Sequence, residues 1–488
     1  MKTNVINIMN FARQIDERVE NSEEILFNTT KKEIELVKRF GFKNTFLLQY
    51  DVLCDQKYID LFKECDENSE FGLWYEIVEP LTTTIGVPYE SDYGWKWDWH
   101  VKPGYPMSYS VDIRIKMLDE AMRKFKEVFG YYPKVFASWV IDTPTLLRLT
   151  SQYHLDLIAI CRDQFNTDAY NLIGGYHPIY YPSINNTFTP GNGETQIDVP
   201  IIRLIGPCPI HNYDNGRYST LMKSVCYTIE PVWNCGSTPQ YMDWLFNTLF
   251  NKEHIGWTYL HIGQENCFGT RDFLPALKTM LEKIQKLDNV QVLKMSETGR
   301  LFKEQYQETP VAASCALNDY EEGNLQSANY NSKRYKINIF RHKNKIFIRF
   351  LYLFDDKVKD RYYDKICETF FATYENLPVI DTVHEGRENF GLILDENAEP
   401  FDAKYPTDDS LYVYWNNGSI TLKPDTIIIN KKVIYMHKDN FVIEGNKIAF
   451  NYCGNTYSMV IENADIKELK DKISIVAKDE QIIIKFGL

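Results

Sequence analysis

The chain has 488 residues, 44% of them hydrophobic and 25% charged, an ordinary globular balance with enough apolar material for two or three domains. Its formal net charge of -13 argues against nucleic acid as a partner, because phosphates bind basic surfaces and no run of Lys or Arg offsets this acidity. No signal peptide or membrane span is predicted, and the 10 Cys contain no CxxC pair. We therefore expect a cytoplasmic protein with reduced thiols and no membrane partner.

Residues 1–308 alternate short apolar runs with helical patterns. The predicted strands lie at 4–11, 44–50, 70–76, 135–141, 155–161, 199–205, 256–263 and 290–295. The predicted helices lie at 30–40, 110–130, 142–153, 239–250, 272–287 and 296–305. A strand followed by a helix, repeated in this way, predicts an α/β fold built on a parallel (β/α)7-8 barrel.

Two long insertions interrupt this alternation, at 82–107 and 166–198. The first contains Trp95, Trp97 and Trp99, and the second is rich in Tyr, Asn, Gly and Pro. Loops of this length in a compact domain are commonly functional. Both insertions follow predicted strands, so we expect them at the mouth of the barrel.

The pattern changes after residue 308. Short alternating segments at 335–340, 345–353, 410–415, 426–429, 441–443, 448–452 and 481–486 are separated by Asn, Asp and Gly turns. They predict a C-terminal antiparallel β-sandwich domain over 309–488, following a catalytic barrel domain over 1–308.

Polar residues gather where the predicted barrel strands end. The carboxyl ends of parallel barrel strands meet on one face, where active sites form. Four carboxylates at these ends are candidates for catalysis: Asp16, Glu76, Asp163 and Glu265. Their neighbours are candidates for substrate binding: Glu17, Trp74, Trp139, Arg162, Gln164, Tyr181, Arg203, His261, Gln264 and Asn266.

Several of these candidates allow a structural interpretation as well. Asp16 and Glu17 also suit a solvated turn, and Trp74 also suits a packed core. Arg203 lies inside an apolar run, where a charge needs a partner, so an internal salt bridge is an alternative to ligand binding.

The type of ligand is suggested by the segment 260–266, which places an imidazole, two amides and a carboxylate just past a predicted strand. Such groups suit a ligand rich in hydroxyls. The chain also contains 33 Tyr and 9 Trp, whose amphipathic rings can stack on sugar faces. Carbohydrate is therefore the expected partner, and a homodimer stays open.

The order of these motifs resembles the polysaccharide deacetylase-like barrel superfamily, which includes metal-dependent deacetylases and related glycoside hydrolases. The resemblance rests on an Asp at the first strand end, on the segment Ser69-Glu70-Phe71-Gly72-Leu73-Trp74, and on a late His261. Further motifs resemble an uncharacterised bacterial carbohydrate-associated group: Arg162-Asp163-Gln164, Gly174-Gly175-Tyr176, Tyr180-Tyr181-Pro182-Ser183, Glu230-Pro231-Val232-Trp233 and Gly263-Gln264-Glu265-Asn266. The resemblance covers about residues 5–385 and implies a deacetylase-like barrel acting on carbohydrate.

Deacetylases of this superfamily hold zinc or a similar ion with one Asp and two His. The positions that match the two His are here Ser69 and Trp74, neither of which binds such an ion. His100 and His261 are possible substitutes, but a zinc site needs three converging protein ligands. We therefore expect neither a metal nor another cofactor.

These features favour a metal-independent glycoside hydrolase, in which one carboxyl protonates the leaving oxygen while the other attacks the sugar or activates water. Asp16 and Glu265 are the first choice for this pair, and Glu76 is next. If Arg162 and Arg203 converge, an acidic sugar such as sialic acid fits the site. Two alternatives stay open: a metal-dependent sugar or polysaccharide deacetylase, and a carbohydrate-binding protein without activity on the same scaffold.

Overall fold

The protein is described here by a computed structural model, which covers residues 2–165, 168–206, 208–211, 228–233, 235–383, 391–438, 441–452 and 454–487. Its first part is a mixed α/β unit around a barrel-like sheet, and its second part consists of antiparallel sheets. None of the helices in these ranges combines the length and apolar character needed to cross a membrane.

The first part contains eleven strands and ten α-helices within the described ranges. The strands are β1 (Thr3–Ala12), β2 (Asn44–Leu48), β3 (Ser69–Trp74), β4 (Val135–Ala137), β5 (Leu157–Cys161), β6 (Tyr170–Ile173), β7 (Ile179–Tyr180), β8 (Ile201–Leu204), β9 (His254–Ile255), β10 (Trp257–Ile262) and β11 (Gln291–Leu293). The helices are α1 (Ser22–Phe40), α2 (Tyr50–Cys54), α3 (Gln56–Lys63), α4 (Glu79–Ile85), α5 (Val101–Gly104), α6 (Val111–Phe129), α7 (Thr143–Gln152), α8 (Pro239–Phe250), α9 (Leu274–Ile284) and α10 (Met295–Gln305).

The parallel strands form one nearly closed sheet in the order β10-β1-β2-β3-β4-β5-β8, with β7 antiparallel beyond β8. β1 is shared: its first half pairs with β10 and β11, and its second half pairs with β2. All of β1 except Asn4 is buried, as expected for a strand covered on both faces. Because these strands run the same way, their carboxyl ends gather on one face of the sheet.

His261 bridges the seam where the two ends of this sheet meet. Its Nδ1 accepts a hydrogen bond from the Ile205 amide at 3.0 Å, and its Nε2 donates to the Met9 carbonyl at 3.1 Å. Burial lowers the pKa of His261 to about 4, so the ring is neutral at physiological pH. Both nitrogens are therefore occupied in barrel closure. This corrects the prediction that His261 binds substrate hydroxyls.

The predicted helices agree with the observed ones to within two or three residues, except for α1. This helix begins at Ser22 rather than at residue 30. Thr29 and Thr30 do not cap it, because their hydroxyls bond back to the carbonyls of Ile25 and Leu26 inside the helix. A threonine that suits a helix start thus lies in the middle of a helix.

Beyond α10 the described chain is almost entirely β-structure. Its strands are β12 (Ala312–Ala316), β13 (Gln326–Asn331), β14 (Tyr335–His342), β15 (Lys345–Leu353), β16 (Ala372–Glu375), β17 (Leu377–Asp381), β18 (Leu392–Asp395), β19 (Asp402–Thr407), β20 (Ser410–Trp415), β21 (Gly418–Lys423), β22 (Thr426–Asn430), β23 (Val433–His437), β24 (Val442–Glu444), β25 (Lys447–Tyr452), β26 (Asn455–Glu462), β27 (Ala464–Glu468), β28 (Lys472–Ala477) and β29 (Gln481–Gly487). Each of the seven segments predicted from the sequence overlaps one of these strands.

These strands form two antiparallel sheets that share one hydrophobic core. The first runs β27-β28-β23-β18-β15-β14-β13-β12-β9, and the second runs β19-β20-β21-β22-β29-β26-β25-β24. Their shared core contains Ile337 and Leu351 from the first sheet and Leu411, Ile427 and Ile482 from the second. The apolar faces of the two sheets therefore pack against each other, as in a sandwich.

The barrel and the β-rich part are interlocked. β9 lies in the barrel part of the chain but pairs with β12, and β6 pairs in parallel with β16. The secondary structure nevertheless changes from mixed strands and helices to strands between the end of α10 at Gln305 and the start of β12 at Ala312. We therefore propose 308 as the boundary between a barrel domain and a β-rich domain, joined by shared strands.

Glu33 in α1 provides a test of how burial controls stability in this barrel. Its side chain is fully buried, neither carboxylate oxygen has a hydrogen-bond partner among the described residues, and burial raises its pKa well above the ordinary value. The folded state thus holds a proton that the unfolded chain releases above pH about 4.3. Stability from this group is therefore lost as the pH rises from there.

We expect Glu33→Met to raise the free energy of unfolding by about 1–3 kcal/mol at pH 8 and by less at pH 4. Urea unfolding at both pH values measures this difference. Glu35→Met is the matched control, because Glu35 is exposed on the same helix. Equal stabilisation at the two pH values would contradict a buried neutral carboxyl.

Candidate active site

A cavity of about 770 Å³ lies at the carboxyl ends of the barrel strands. Its polar lining residues are Arg13, Asp16, Arg18, Glu76, Arg162, Gln164, Asp168, Glu230, Thr270, Glu265 and Arg271. Its aromatic lining residues are Trp97, Trp99, Tyr105, Trp139, Tyr170, Trp233 and Phe268. The volume suits a small ligand such as one or a few sugar units. Charged groups and ring faces in one cavity provide both hydrogen bonding and stacking.

Of the predicted site residues, the structure brings six to this cavity: Asp16, Glu76, Trp139, Arg162, Gln164 and Glu265. They come from the ends of β1, β3, β4, β5 and β10. These residues are far apart in the sequence and meet because parallel strands end on one face.

Arg13 organises the floor of the cavity. It directly follows β1, and its guanidinium contacts the Glu265 carboxylate and lies 3.6 Å from Glu76. It also lies over the Trp97 ring, 4.1 Å from the centroid. Burial disfavours its charge, but Glu265 and the other nearby acidic groups raise the pKa of Arg13 above its ordinary value.

Two catalytic candidates are therefore held near each other. Glu76 and Glu265 both lie within ion-pair distance of the same Arg13 nitrogen, so their nearest oxygens are at most about 8 Å apart. This separation is within the range for paired glycosidase carboxyls, which extends to about 9.5 Å.

The Glu76 carboxylate is surrounded by hydrogen-bond donors. Gln49 Nε2 and Trp97 Nε1 donate to its Oε2 at 2.9 and 3.0 Å. The Tyr105 hydroxyl donates to Oε1 at 3.3 Å. With Arg13 alongside, these donors occupy both oxygens of Glu76. Glu76 is thus better suited to fixing the cavity wall than to supplying a proton.

Asp16 is a carboxylate whose charged form is stabilised by neighbouring arginines. Arg18 donates to both of its oxygens, from Nε at 2.8 Å and from Nη2 at 2.6 Å. Although burial alone would raise the pKa of Asp16, Arg18 and Arg13 lower it below the ordinary value. Asp16 therefore faces the cavity as an anion.

Glu17, the next residue, has a structural role. Its carboxylate accepts hydrogen bonds from the backbone amides of Lys96 at 2.7 Å and Trp97 at 3.2 Å. These contacts fix the insertion over 82–107 against the end of β1 and place Trp97 over Arg13. This corrects the prediction that Glu17 binds substrate.

Glu230 is the acidic residue that the strand-end reasoning did not select. It lines the cavity, its Oε2 accepts from Trp233 Nε1 at 2.9 Å, and its Oε1 accepts from Gln264 Nε2 at 3.4 Å. Burial and the neighbouring charge of Glu265 raise the pKa of Glu230 to about 7. A large share of Glu230 is therefore protonated at neutral pH and can donate a proton.

Glu265 is buried beside both Arg13 and Glu230. Cys267 Sγ donates to its Oε2 at 3.3 Å. Burial raises the pKa of Glu265, while Arg13 opposes this shift. Burial also raises the pKa of the Cys267 thiol well above its ordinary value, so this cysteine is protonated and not a nucleophile.

Asp163 and Arg203 belong to a buried ion cluster outside the cavity. Arg203 Nη2 lies 2.8 Å from one Asp163 oxygen, and Lys336 Nζ from β14 lies 2.6 Å from the other. The Gly175 amide also donates to Asp163 at 3.2 Å. This cluster corrects two predictions: Asp163 is not placed for catalysis, and Arg203 does not reach a ligand. The salt-bridge alternative for Arg203 is the one observed.

The two amide residues of the 263–266 motif, Gln264 and Asn266, both bond to other groups of the protein. Asn266 accepts from the Arg13 amide at 3.1 Å and donates to the Arg13 carbonyl at 2.8 Å, which holds the turn after β1. The Gln264 amide donates to Asn10 at 3.1 Å, and its side chain reaches Glu230. Asn266 is thus engaged in holding this turn, whereas Gln264 Oε1 has no hydrogen-bond partner among the described residues, so the assignment of Gln264 to substrate hydroxyls stays a prediction.

Two aromatic predictions are corrected as well. Trp74 is buried, because Phe11 stacks on it at 4.4 Å and Trp139 meets it edge-on at 4.8 Å. Trp139 therefore separates Trp74 from the cavity and is the ring that lines it. Tyr181 packs on Phe302 at 5.2 Å, and its hydroxyl donates to a backbone carbonyl at 2.7 Å. It lies outside the cavity lining.

The donor set does not fit the metal site of the resemblance. In the described ranges, no three His, Cys, Asp or Glu side chains are grouped closely enough to hold a metal ion. Trp74 lies in the barrel interior where the resemblance places an imidazole, and both nitrogens of His261 are occupied. His100 bonds to Asp98 at 2.7 Å rather than joining a cluster.

Comparisons with known proteins bear on the fold. No protein-family model and no curated protein matches the chain. Among solved structures, the chain is similar to a candidate glycoside hydrolase/deacetylase from Parabacteroides distasonis, with a TM-score of 0.56 and 13% identity over 77% of this chain and 90% of that chain. It also aligns with a candidate polysaccharide deacetylase from Mycobacterium smegmatis, with a TM-score of 0.38 and 12% identity over 62% and 91% of the two chains.

The first of these likenesses shows a shared fold. The coarse prediction is confirmed: a mixed α/β unit with a nearly closed, barrel-like sheet is followed by antiparallel sheets. The second TM-score is too low to carry an argument. The likeness of single motifs to the bacterial carbohydrate-associated group, and the number of barrel repeats, stay predictions.

Proposed function

We propose that the protein is a glycoside hydrolase that cleaves its substrate with two carboxyl groups and without a metal. Glu230 is the general acid that protonates the leaving oxygen. Asp16 is the ionised partner that attacks the anomeric carbon or activates water. The observation that carries this proposal is that one cavity holds a carboxyl with its pKa raised to about 7 and another with its pKa lowered.

The remaining cavity residues support these two roles. Burial and the neighbouring Glu265 raise the pKa of Glu230. Glu265 itself forms an ion pair with Arg13. Arg18 fixes the Asp16 carboxylate and, being 44% exposed, has room to shift towards a ligand. Trp139 and Trp233 supply ring faces on which a sugar can stack.

The pair originally favoured, Asp16 with Glu265, is thus modified by the structure. Glu265 is tied to Arg13 and Cys267, whereas Glu230 carries only neutral donors on its oxygens. Burial and the charge of Glu265 raise the pKa of Glu230, which favours the protonated form that a general acid requires. Glu265 is accordingly assigned to positioning and to tuning the acidity of Glu230.

An acidic sugar is no longer the favoured substrate. That idea needed Arg162 and Arg203 together, and Arg203 is engaged with Asp163 outside the cavity. Deacetylation would need an activated water on a metal, and the described donors do not assemble such a site. We therefore propose a glycoside without a required acidic group as the substrate.

The proposal is tested with Asp16→Asn on a panel of aryl glycosides and polysaccharides, with release of phenol or reducing sugar as the measurement. We expect hydrolysis of at least one glycoside by the unmodified protein, unaffected by EDTA, and a loss of about 10²–10⁴-fold in kcat in the variant. Glu20→Gln, an exposed carboxyl four residues away, is the control. Release of acetate with a metal requirement would overturn the proposal.

A further inference from the structure

Trp233 and Gln264 hold the two oxygens of Glu230, the proposed general acid, in different ways. Trp233 Nε1 donates to Oε2 of Glu230 at 2.9 Å, and Gln264 Nε2 donates to Oε1 of Glu230 at 3.4 Å. An indole N–H can only donate, whereas a side-chain amide carries a donor and an acceptor on the same planar group. Of these two bonds, only the one from Gln264 can therefore reverse its direction.

This difference favours Oε1 as the oxygen that carries the acidic proton of Glu230. In a protonated carboxyl the carbonyl oxygen is the better acceptor, so the shorter bond from Trp233 suits Oε2 as that carbonyl. The proton then lies on Oε1, where the O–H group of Glu230 meets the N–H group of the Gln264 amide. Two donors that face each other form no hydrogen bond, so the acid form gains one if the amide turns.

The other end of the Gln264 amide is a buried acceptor. Gln264 is 1% exposed, and its Oε1 has no hydrogen-bond partner among the described residues. When the amide turns, this oxygen lies opposite the Glu230 proton and Nε2 takes the place without a partner. One end of the amide is unpartnered in either orientation, so turning sacrifices no hydrogen bond. The backbone of Gln264 stays fixed, because its N–H donates to Asn10 at 3.1 Å.

We propose that Gln264 is a positioning residue whose side-chain amide turns with the protonation state of Glu230. This inference rests on the proposed function. In the acid form, Gln264 Oε1 accepts the proton that Glu230 carries on Oε1. When this proton passes to the leaving oxygen, the O–H bond of Glu230 and the glycosidic C–O bond break, and the C–O electron pair stays on the leaving oxygen. The amide then turns so that Nε2 donates to the new carboxylate, which is the contact observed.

Charged groups from other segments also face Glu230 or Trp233. Glu265 after β10 raises the pKa of Glu230, whereas Arg162 after β5 lowers it. Arg271 lies over the Trp233 ring, 5.8 Å from its centroid. A substitution of Gln264 changes none of these charges. A shift in acidity that such a substitution causes therefore comes from the amide itself.

The amide has a larger effect on the carboxylate than on the acid, because a hydrogen bond to an ion is stronger than one between neutral groups. Gln264 thus lowers the pKa of Glu230 against the effect of burial. Gln264→Met keeps the approximate length of the side chain and removes its hydrogen bonds. We expect this variant to hold the Glu230 proton to a higher pH.

Infrared titration tests the inference without any substrate. In unmodified protein with isotope-labelled glutamine side chains, a protonated-carboxyl band should disappear as the pH rises, and one glutamine amide band should shift with the same midpoint. Glu230→Gln should remove both changes. Gln264→Met should remove the amide change and raise the carboxyl midpoint by about one pH unit. Gln285→Met, which replaces an exposed glutamine, is the control and should leave both changes as they are.

Kinetics then separate positioning from a purely structural role. In Gln264→Met the fall of kcat/KM at alkaline pH should move up by the same amount as the infrared midpoint. In the Glu230→Gln background, Gln264→Met should change kcat by less than about twofold, because the group it acts on is already lost.

An amide band that does not follow the carboxyl midpoint, an unmoved midpoint in folded Gln264→Met, or equal kinetic losses in both backgrounds would overturn the inference. The infrared changes of the unmodified protein and of Glu230→Gln decide the matter even if Gln264→Met does not fold. Failure of hydrolysis is separate. If both infrared changes occur in a protein that cleaves no glycoside, the proposed reaction is removed and the pairing of Gln264 with Glu230 stays in place.

Discussion

Replacement of Glu230 by Gln is expected to lower kcat by about 10²–10⁴-fold while leaving the free energy of unfolding nearly unchanged. Gln keeps the shape of the side chain and accepts from Trp233 as the carboxyl does, but it cannot transfer a proton to the leaving oxygen. The effect should depend on the substrate, because a weakly basic phenolate leaves with little protonation. The loss should therefore be small for nitrophenyl glycosides and large for natural linkages.

The pH dependence gives a second measurement of the same role. Since burial and Glu265 raise the pKa of Glu230 to about 7, the acid form is lost as the pH rises through that value. The kcat/KM of the unmodified protein should thus fall above pH about 7. Glu230→Gln should lose this alkaline limb, whereas Glu304→Gln, an exposed change on α10, should retain it. If the kcat/KM of Glu230→Gln still fell above pH about 7, the proton given to the leaving oxygen would have to come from another group.

Much of the fold could be predicted from the sequence because its strands and helices follow simple hydrophobic patterns. β1 is a mostly apolar run interrupted by single Asn residues, and the pattern over 345–353 matches β15 residue for residue. The pairings that join the two parts could not be predicted. β6 and β16, for instance, are about 200 residues apart, and nothing in their short sequences specifies a partner.

Several residues that were predicted from strand ends line one cavity, Asp16, Glu76 and Glu265 among them, and their roles stay predictions. Strand-end position alone, however, does not distinguish a residue that faces the cavity from one that is engaged with its neighbours, as Asp163 is. Glu230 was not selected because it lies far beyond the end of the nearest predicted strand, 199–205.

One signal in the sequence would have improved the interpretation. Arg13 directly follows the apolar run of β1, where a buried charge requires acidic partners. That requirement points to a cluster of carboxylates around the end of β1, which is what the contacts to Glu265 and Glu76 provide. The same argument, applied to Arg203, gave the observed salt bridge as the alternative to ligand binding.

The buried cluster of Asp163, Arg203 and Lys336 is expected to be a major source of stability. All three side chains are at most 5% exposed, and the carboxylate is the partner of both cations. Asp163→Asn removes the carboxylate that both buried cations share and should lower the free energy of unfolding by about 3–5 kcal/mol. Chemical unfolding at pH 7 measures this loss.

A second substitution separates this structural role from the catalytic one first predicted for Asp163. Adding Lys336→Met to Asp163→Asn removes one of the two cations that this carboxylate paired with. The double variant should therefore be more stable than Asp163→Asn alone, with a coupling energy between the two substitutions of about 1–3 kcal/mol. Because Asp163 lies outside the cavity, the folded fraction of Asp163→Asn should hydrolyse substrate at low temperature with a kcat near that of the unmodified protein. If Asp163→Asn were fully folded but inactive, Asp163 would have to take part in the reaction. The cavity would then have to extend to the boundary between the barrel and β14.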